Sequence, residues 1–321
     1  MNAARLRRVA ERICSALGFK IIPRYQWATI NRLLSGVLSS EVASPGAGSS
    51  GPLQIEGVVF SKDRPLQLAA TLGSFLDQMH GAGPLQVLYA ASSLRYERAY
   101  EELQSEFGPP KILWQRETSF RLDLVRLLAS IRSSTMFFLV DDIVFVEPVA
   151  MAELAKLDPQ QFIVSLRLGK NLDYCYMASS KQRLPTLESL GGSVPLLSWK
   201  WCDGDWDWGY PLSLDGHFFS TSQLRVMASL TEYSAPNSFE GSLQAFSGVF
   251  ECLNGVCYEK SRLVNIPHNK VQSENRNRSQ GHSAEDLLRA WEEGYRIDFQ
   301  SLYGFNNRSA HEEVPLRLVR R

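Results

Sequence analysis

Thr135-Met-Phe-Phe-Leu-Val-Asp-Asp-Ile-Val-Phe145 is an apolar run, rich in β-formers, that delivers two adjacent carboxylates and then turns apolar again. Residues 136–140 have the composition of a buried strand. Asp141 and Asp142 follow at its end. Open α/β sheets place ligands at the carboxyl ends of their strands, and hard cations such as Mg²⁺ and Mn²⁺ prefer oxygen ligands. The pair therefore points to metal-assisted handling of a phosphorylated substrate. A solvated turn after a strand is the competing reading, so the flanking chain must decide.

Upstream, the pattern repeats. Ile55–Phe60 reads as a strand, Leu66–Met79 as a helix with Pro65 in its first turn, and Leu85–Ala90 as a second strand. A helix over 96–107, a strand over 111–114 and a helix over 120–131 lead to the acidic strand. This βαβαβαβ alternation predicts an α/β fold with a mostly parallel central sheet flanked by helices. Downstream the pattern loosens, with strands expected at 162–168 and 216–220 and helices at 222–229 and 283–294.

The remaining segments divide the chain. Residues 1–40 form a basic helical segment, with apolar residues at helical spacing on either side of Pro23. Such helices lie on an anionic membrane, pair two chains as a homodimer, or pack on their own domain. Residues 41–53 are a linker rich in Gly, Ser and Pro. The expected domain is 54–280, followed by a helical extension at 281–321.

The 321 residues are 44% hydrophobic and 21% charged, and Lys+Arg and Asp+Glu are both 34. Zero net charge gives no sign of a nucleic-acid partner. Five scattered cysteines fit a reducing compartment. No stretch approaches a membrane span, so a cytoplasmic protein is expected, touching at most the inner membrane face.

The loop Phe60-Ser-Lys-Asp-Arg-Pro-Leu-Gln67 follows the first strand. Asp63 suits a base N–H or a ribose hydroxyl, and Lys62 and Arg64 suit phosphates. It has neither a Walker pattern nor Gly-x-Gly-x-x-Gly. The segment Ser198-Trp-Lys-Trp-Cys-Asp-Gly-Asp-Trp-Asp-Trp-Gly-Tyr210 sets aromatic faces beside carboxylates, a combination suited to sugars. Trp206, Asp207 and Trp208, with His217, are the acceptor candidates; capping of the core is the alternative for the tryptophans. Arg121 and Asp123, on the helix before the acidic strand, and Arg167 are candidates for the nucleotide pocket. A surface ion pair is the alternative for the first two.

The strand followed by Phe-Ser-Lys-Asp-Arg-Pro-Leu-Gln-Leu, and the later Phe-Phe-Leu-Val-Asp-Asp-Ile-Val-Phe, resemble bacterial GT-A-fold glycosyltransferases of the family 2 type. The resemblance covers about residues 54–275 and implies a nucleoside-diphosphate sugar donor, linked to UDP or GDP, with Mn²⁺ or Mg²⁺. The family's Asp-x-Asp maps to Val140-Asp141-Asp142, a departure at its first acid. Asp142 then fits the metal, and Asp141 the ribose or a second metal contact. Gly216, in Asp215-Gly-His-Phe-Phe219, matches the segment near the donor sugar. Glu240, in Asn237-Ser-Phe-Glu240, matches the base that deprotonates the acceptor in inverting members; Asp215 competes for that role. His268, in Asn265-Ile-Pro-His-Asn-Lys-Val-Gln272, matches a C-terminal metal ligand, with His217 as runner-up and Asn269, Lys270 and Gln272 as polar neighbours.

The expected activity is transfer of a sugar to a glycan or lipid-linked acceptor, with inversion, in a setting such as bacterial surface polysaccharide synthesis. The rival readings are a nucleotidyltransferase acting on sugar phosphates and an inactive glycan-binding or scaffold protein of the same fold. The loop after the first strand contains no glycine, which counts against the nucleotidyltransferase.

Overall fold

A computed structural model of the chain describes residues 32–33, 35–38, 54–192, 194–269 and 280–321. The expectations for residues 1–31, the linker to residue 53, Lys270 and Gln272 lie outside these. Of the N-terminal segment, Leu38 is buried in the same cluster as Val58 and Phe60. None of the described helices is long and apolar enough to cross a membrane.

The alternation seen in the sequence builds the centre of the molecule. It runs β1 (Glu56–Lys62), α1 (Pro65–Gln78), β2 (Leu85–Ala90), α2 (Leu94–Glu106), β3 (Ile112–Arg116), α3 (Phe120–Ser130) and β4 (Thr135–Val140). β1 lies between β2 and β4, parallel to both, and β3 extends the sheet beyond β2. β1 and β4 are buried along most of their length, which is why they read as continuous apolar runs rather than alternating ones. α1 starts at Pro65, whose fixed φ suits a first helical turn.

Chain direction decides where a ligand can sit. From β1 the chain moves outward to β2 and β3, then returns to β4 on the other side of β1. The carboxyl ends of β1 and β4 therefore flank a switch point, where open α/β sheets form a crevice. Phe60 pairs with Val140 in register, so the Ser61–Arg64 loop and the Asp141–Asp142 pair leave the sheet side by side.

After β4 come β5 (Ile143–Phe145), β6 (Phe162–Val164), β7 (Leu196–Lys200), β8 (Phe218–Ser220), α4 (Thr221–Leu230), α5 (Pro236–Leu243), β9 (Asn254–Tyr258) and β10 (Leu263–Asn265). β8 closes the main sheet antiparallel to β4. The strand expected at 216–220 is shorter because Gly216, at φ +73°, is still in the preceding turn. The strand expected at 162–168 ends at Val164 and joins a second sheet, parallel to β9, with β7 on the far side of β9. β10 pairs with β5 and sets Asn265 opposite Ile143.

Residues 281–321 contain α6 (Ala284–Glu292), β11 (Tyr295–Ile297) and β12 (Leu318–Arg320). Ser283 caps α6, accepting from the Asp286 N–H at 3.3 Å. Leu287, Leu288, Trp291 and Ile297 lie in the same buried cluster as Val59 and Leu139 of the central sheet.

Candidate functional site

A cleft of about 730 Å³ opens at the switch point, a size that accommodates a nucleotide-sized ligand. One end is made by the strand termini. Phe60, Ser61, Lys62 and Arg64 line it from β1, and Val140, Asp141 and Asp142 from β4. Asp142 is the more accessible acid, with 18% of its side chain exposed against 6% for Asp141.

Arg64 organises this end. Its Nη1 donates to Asp141 Oδ1 at 2.9 Å and to Asp142 Oδ2 at 3.1 Å, and its Nη2 donates to the Asn269 carbonyl at 2.6 Å. Burial works against its charge, but the two carboxylates outweigh that and raise its pKa. Burial raises the pKa of Asp141, with Arg64 opposing it. The Lys62 N–H donates to Asp141 Oδ2 at 3.3 Å. Thr71 fixes the turn behind the pair, donating to the carbonyls of Asp141 and Ile143 at 3.0 and 2.8 Å. Asn265, held beside Asp142 by the β5–β10 pairing, donates to Asp142 Oδ1 at 3.4 Å.

The other end is centred on Glu240. Phe239 is fully buried against the Phe138 ring, which docks α5 on the sheet and leaves Glu240 at the cleft wall. Burial, reinforced by the nearby Asp215 charge, pushes the Glu240 pKa up to about 7. Its Oε1 accepts from the Leu214 N–H at 3.3 Å. Beside it, Arg167 is buried and forms ion pairs with Asp207 and with Asp215, the latter at 3.0 Å. Arg167 thus lines the cleft as a counter-ion of two carboxylates. His311 also reaches this end, with Nε2 3.5 Å from Asp215 Oδ2. Its backbone bridges to Asn265, so the segment after α6 forms part of the wall. No motif surrounds His311 in the sequence, and its position follows only from the return of the chain across β10.

Several expected site residues stand elsewhere. Arg121 donates to the Thr231 and Ser229 carbonyls, clamping α3 to the end of α4 away from the cleft. Asp123 caps its own helix, accepting from the Thr118 and Ser119 N–H groups at 2.6 and 2.8 Å. Asp63 adopts φ +54° and accepts from the Ser92 N–H at 2.8 Å, bracing the loop. Gln67 is buried and donates to Asn269 Oδ1 at 3.0 Å. Gly216 faces Leu263, where an added Cβ would lie 2.5 Å from a methyl carbon, so close packing and a φ of +73° both call for glycine there.

The aromatic loop divides. Trp199, Trp201 and Trp208 are buried against one another, so Trp208 is a core residue. Trp206 is 56% exposed at the cleft lip, and Asp207 lines the cleft while paired to Arg167. His217 is fully buried, bonded through Nδ1 to the Pro211 carbonyl, and burial pushes its pKa down to about 3. It contacts neither acceptor space nor the acid pair.

His268 is buried, with Nδ1 2.7 Å from Gln280 Oε1, and does not line the cleft. Among the described residues, no group of three or more His, Cys, Asp and Glu side chains is placed to hold a metal ion. The expected set of Asp141, Asp142 and His268 is therefore not assembled. The oxygen chemistry still suits a hard cation. Asn265 is 1% exposed, and its Oδ1 has no hydrogen-bond partner. The charge balance points the same way. Among the described residues, Glu117, Asp141, Asp142, Asp207, Asp215 and Glu240 face Lys62, Arg64 and Arg167 around the cleft, an acidic excess that an anionic ligand alone would worsen. Asp141, Asp142 and Asn265 are the residues that would hold a cation.

No protein-family model matches the chain, and no curated protein does. Among solved structures, it is similar to a nucleotidyl transferase from Methanothermobacter thermautotroptrophicus, at 14% identity over 65% of this chain and 88% of that one, TM-score 0.33. It is also similar to the inositol-1-phosphate CTP transferase from T. maritima, at 10% identity over 76% of this chain and 98% of that one, TM-score 0.42. A third is the mannosyltransferase PcManGT from Pyrobaculum calidifontis in complex with GDP-Man and Mn²⁺, at 15% identity over 50% of this chain and 48% of that one, TM-score 0.28.

Proposed function

We propose that the chain is a GT-A-fold glycosyltransferase that moves a sugar from a nucleoside-diphosphate donor to a hydroxyl acceptor. The observation that carries this reading is a single cleft with two chemically distinct ends. One is a basic loop beside paired carboxylates at a strand switch point. The other is a carboxyl group whose pKa lies near neutrality. Lys62, which is exposed, and the Arg64 guanidinium supply positive charge for a diphosphate. Asp141, Asp142 and Asn265 would hold Mn²⁺ or Mg²⁺, which when bound neutralises charge on the leaving nucleoside diphosphate.

Glu240 takes the acceptor proton. With a pKa of about 7 it is substantially ionised at neutral pH, yet basic enough to accept from a hydroxyl as attack proceeds. Asp215, engaged by Arg167 and His311, keeps a negative charge close to Glu240 and so helps set that basicity. Direct displacement by an acceptor activated in this way gives inversion. Trp206 at the lip offers an aromatic face to an acceptor sugar. Around Glu240 the basic side chains among the described residues are Arg167, bound to two carboxylates, and His311, facing one of them, which disfavours a sugar phosphate there and hence the nucleotidyltransferase alternative.

A panel of UDP, GDP and their sugar conjugates, assayed with Mn²⁺ present for protection against thermal unfolding, tests the donor half. At least one should raise the melting temperature; if none does, the reading fails.

A further inference from the structure

The Asp141–Asp142 pair already has a cation. One guanidinium nitrogen of Arg64 reaches both carboxylates, at 2.9 and 3.1 Å. Asn265 adds a second, independent sign. It is all but fully buried at the cleft wall, its Nδ2 makes a long 3.4 Å contact to Asp142, and its Oδ1 has no partner. A buried acceptor left without a donor has lost its hydration and gained nothing in return. Turning the amide over exchanges N for O in nearly the same volume and would present Oδ1 to Asp142, an arrangement that is stable only with a cation between them.

We propose that Arg64 is the resident counter-ion of a divalent-cation site formed by Asp141, Asp142 and Asn265, and that cation and guanidinium exchange on the carboxylates when donor binds. The donor half of this rests on the transferase reading. Arg64 brings one positive charge to two negative ones, whereas a divalent cation balances both. The freed guanidinium then faces the donor diphosphate, where its planar fork suits phosphate oxygens. Competition from Arg64 weakens cation binding in the free protein. A diphosphate that accepts Arg64 removes the competitor, so nucleotide and cation bind with positive coupling, of the order of 5–150-fold in known cases.

Titration calorimetry with Mn²⁺, alone and with saturating UDP or GDP, tests this on the full chain. Wild type should bind Mn²⁺ more tightly with nucleotide present. Arg64→Gln should bind Mn²⁺ alone about tenfold more tightly than wild type and lose most of the nucleotide effect. Asn265→Ala, added to Arg64→Gln, should weaken Mn²⁺ binding at least tenfold, and no change would remove Asn265 as a ligand. Should Arg64→Gln not fold, Arg64→Met, which likewise removes the charge, must bind Mn²⁺ more tightly than wild type. Mn²⁺ affinity that is equal or lower in the Arg64 variant overturns the exchange. So does undiminished nucleotide binding in EDTA, although the transferase reading would survive it. If Arg64→Gln tightens Mn²⁺ binding while no nucleotide binds, Arg64 stands as the resident counter-ion of the cation site, and the donor-driven exchange falls with the transferase reading.

Discussion

Glu240 and Arg167 carry the sharpest tests at the level of single residues. Glu240 holds its proton more tightly in the folded chain than in the unfolded one, because burial and Asp215 disfavour its charge. Its contribution to stability is therefore full below the ordinary carboxylate range and is lost as pH rises through about 7. Glu240→Gln cannot titrate, so at pH 8 it should exceed wild type in stability by about 1–3 kcal/mol, and at pH 4 the gain should vanish. Chemical denaturation at the two pH values reads this directly. The same variant should lose about 10²–10⁴-fold in turnover while nucleotide binding is retained, and wild-type turnover should rise through an acid limb near pH 7. An unchanged rate removes Glu240 as the base. Arg167→Met leaves Asp207 and Asp215 buried without their counter-ion, and a loss of about 3–5 kcal/mol in urea unfolding is expected.

Among the elements, β1 is tightly enclosed by its two neighbours. A Cβ added at Gly57 would lie 2.3 Å from the Phe137 ring of β4 and 2.9 Å from Leu85 of β2. Gly57→Ala should destabilise by about 1–3 kcal/mol through overpacking at the strand that aims the loop, measured as a drop in denaturation midpoint with the slope unchanged. The first half of the fold was legible because each strand and helix there announces itself locally. β2 spans the expected 85–90, and α1 starts at the expected proline. In the second half the helices over 221–230 and 284–292 were legible too, but the second sheet was not, because β6 finds its partner in β9, some ninety residues later, and no local period encodes that pairing. The site divides along the same line. Asp141, Asp142 and the Lys62–Arg64 loop were visible because strand ends put them at the switch point. The Arg64 ion pairs, the commitment of Arg167 and the arrival of His311 all depend on tertiary contacts. Asp123 misled because a carboxylate on a helix next to an acidic strand resembles a ligand group, whereas it satisfies the N–H groups at its own helix start.

Across the whole molecule, the segment after residue 280 belongs to the fold and to the cleft together. Removing residues 281–321 takes Leu287, Leu288, Trp291 and Ile297 from the central cluster and His311 from the cleft wall. The shortened chain should show no cooperative thermal transition by far-UV circular dichroism, whereas the full chain should show one.

The His311 wall also has a consequence in time. Protein synthesis runs from β1 towards β12, so a chain still attached to the ribosome presents the Asp pair, Arg64 and Glu240 before it presents His311 and the Asn265 bridge. The cleft wall is therefore completed only once the segment after α6 has been made and has reached β10.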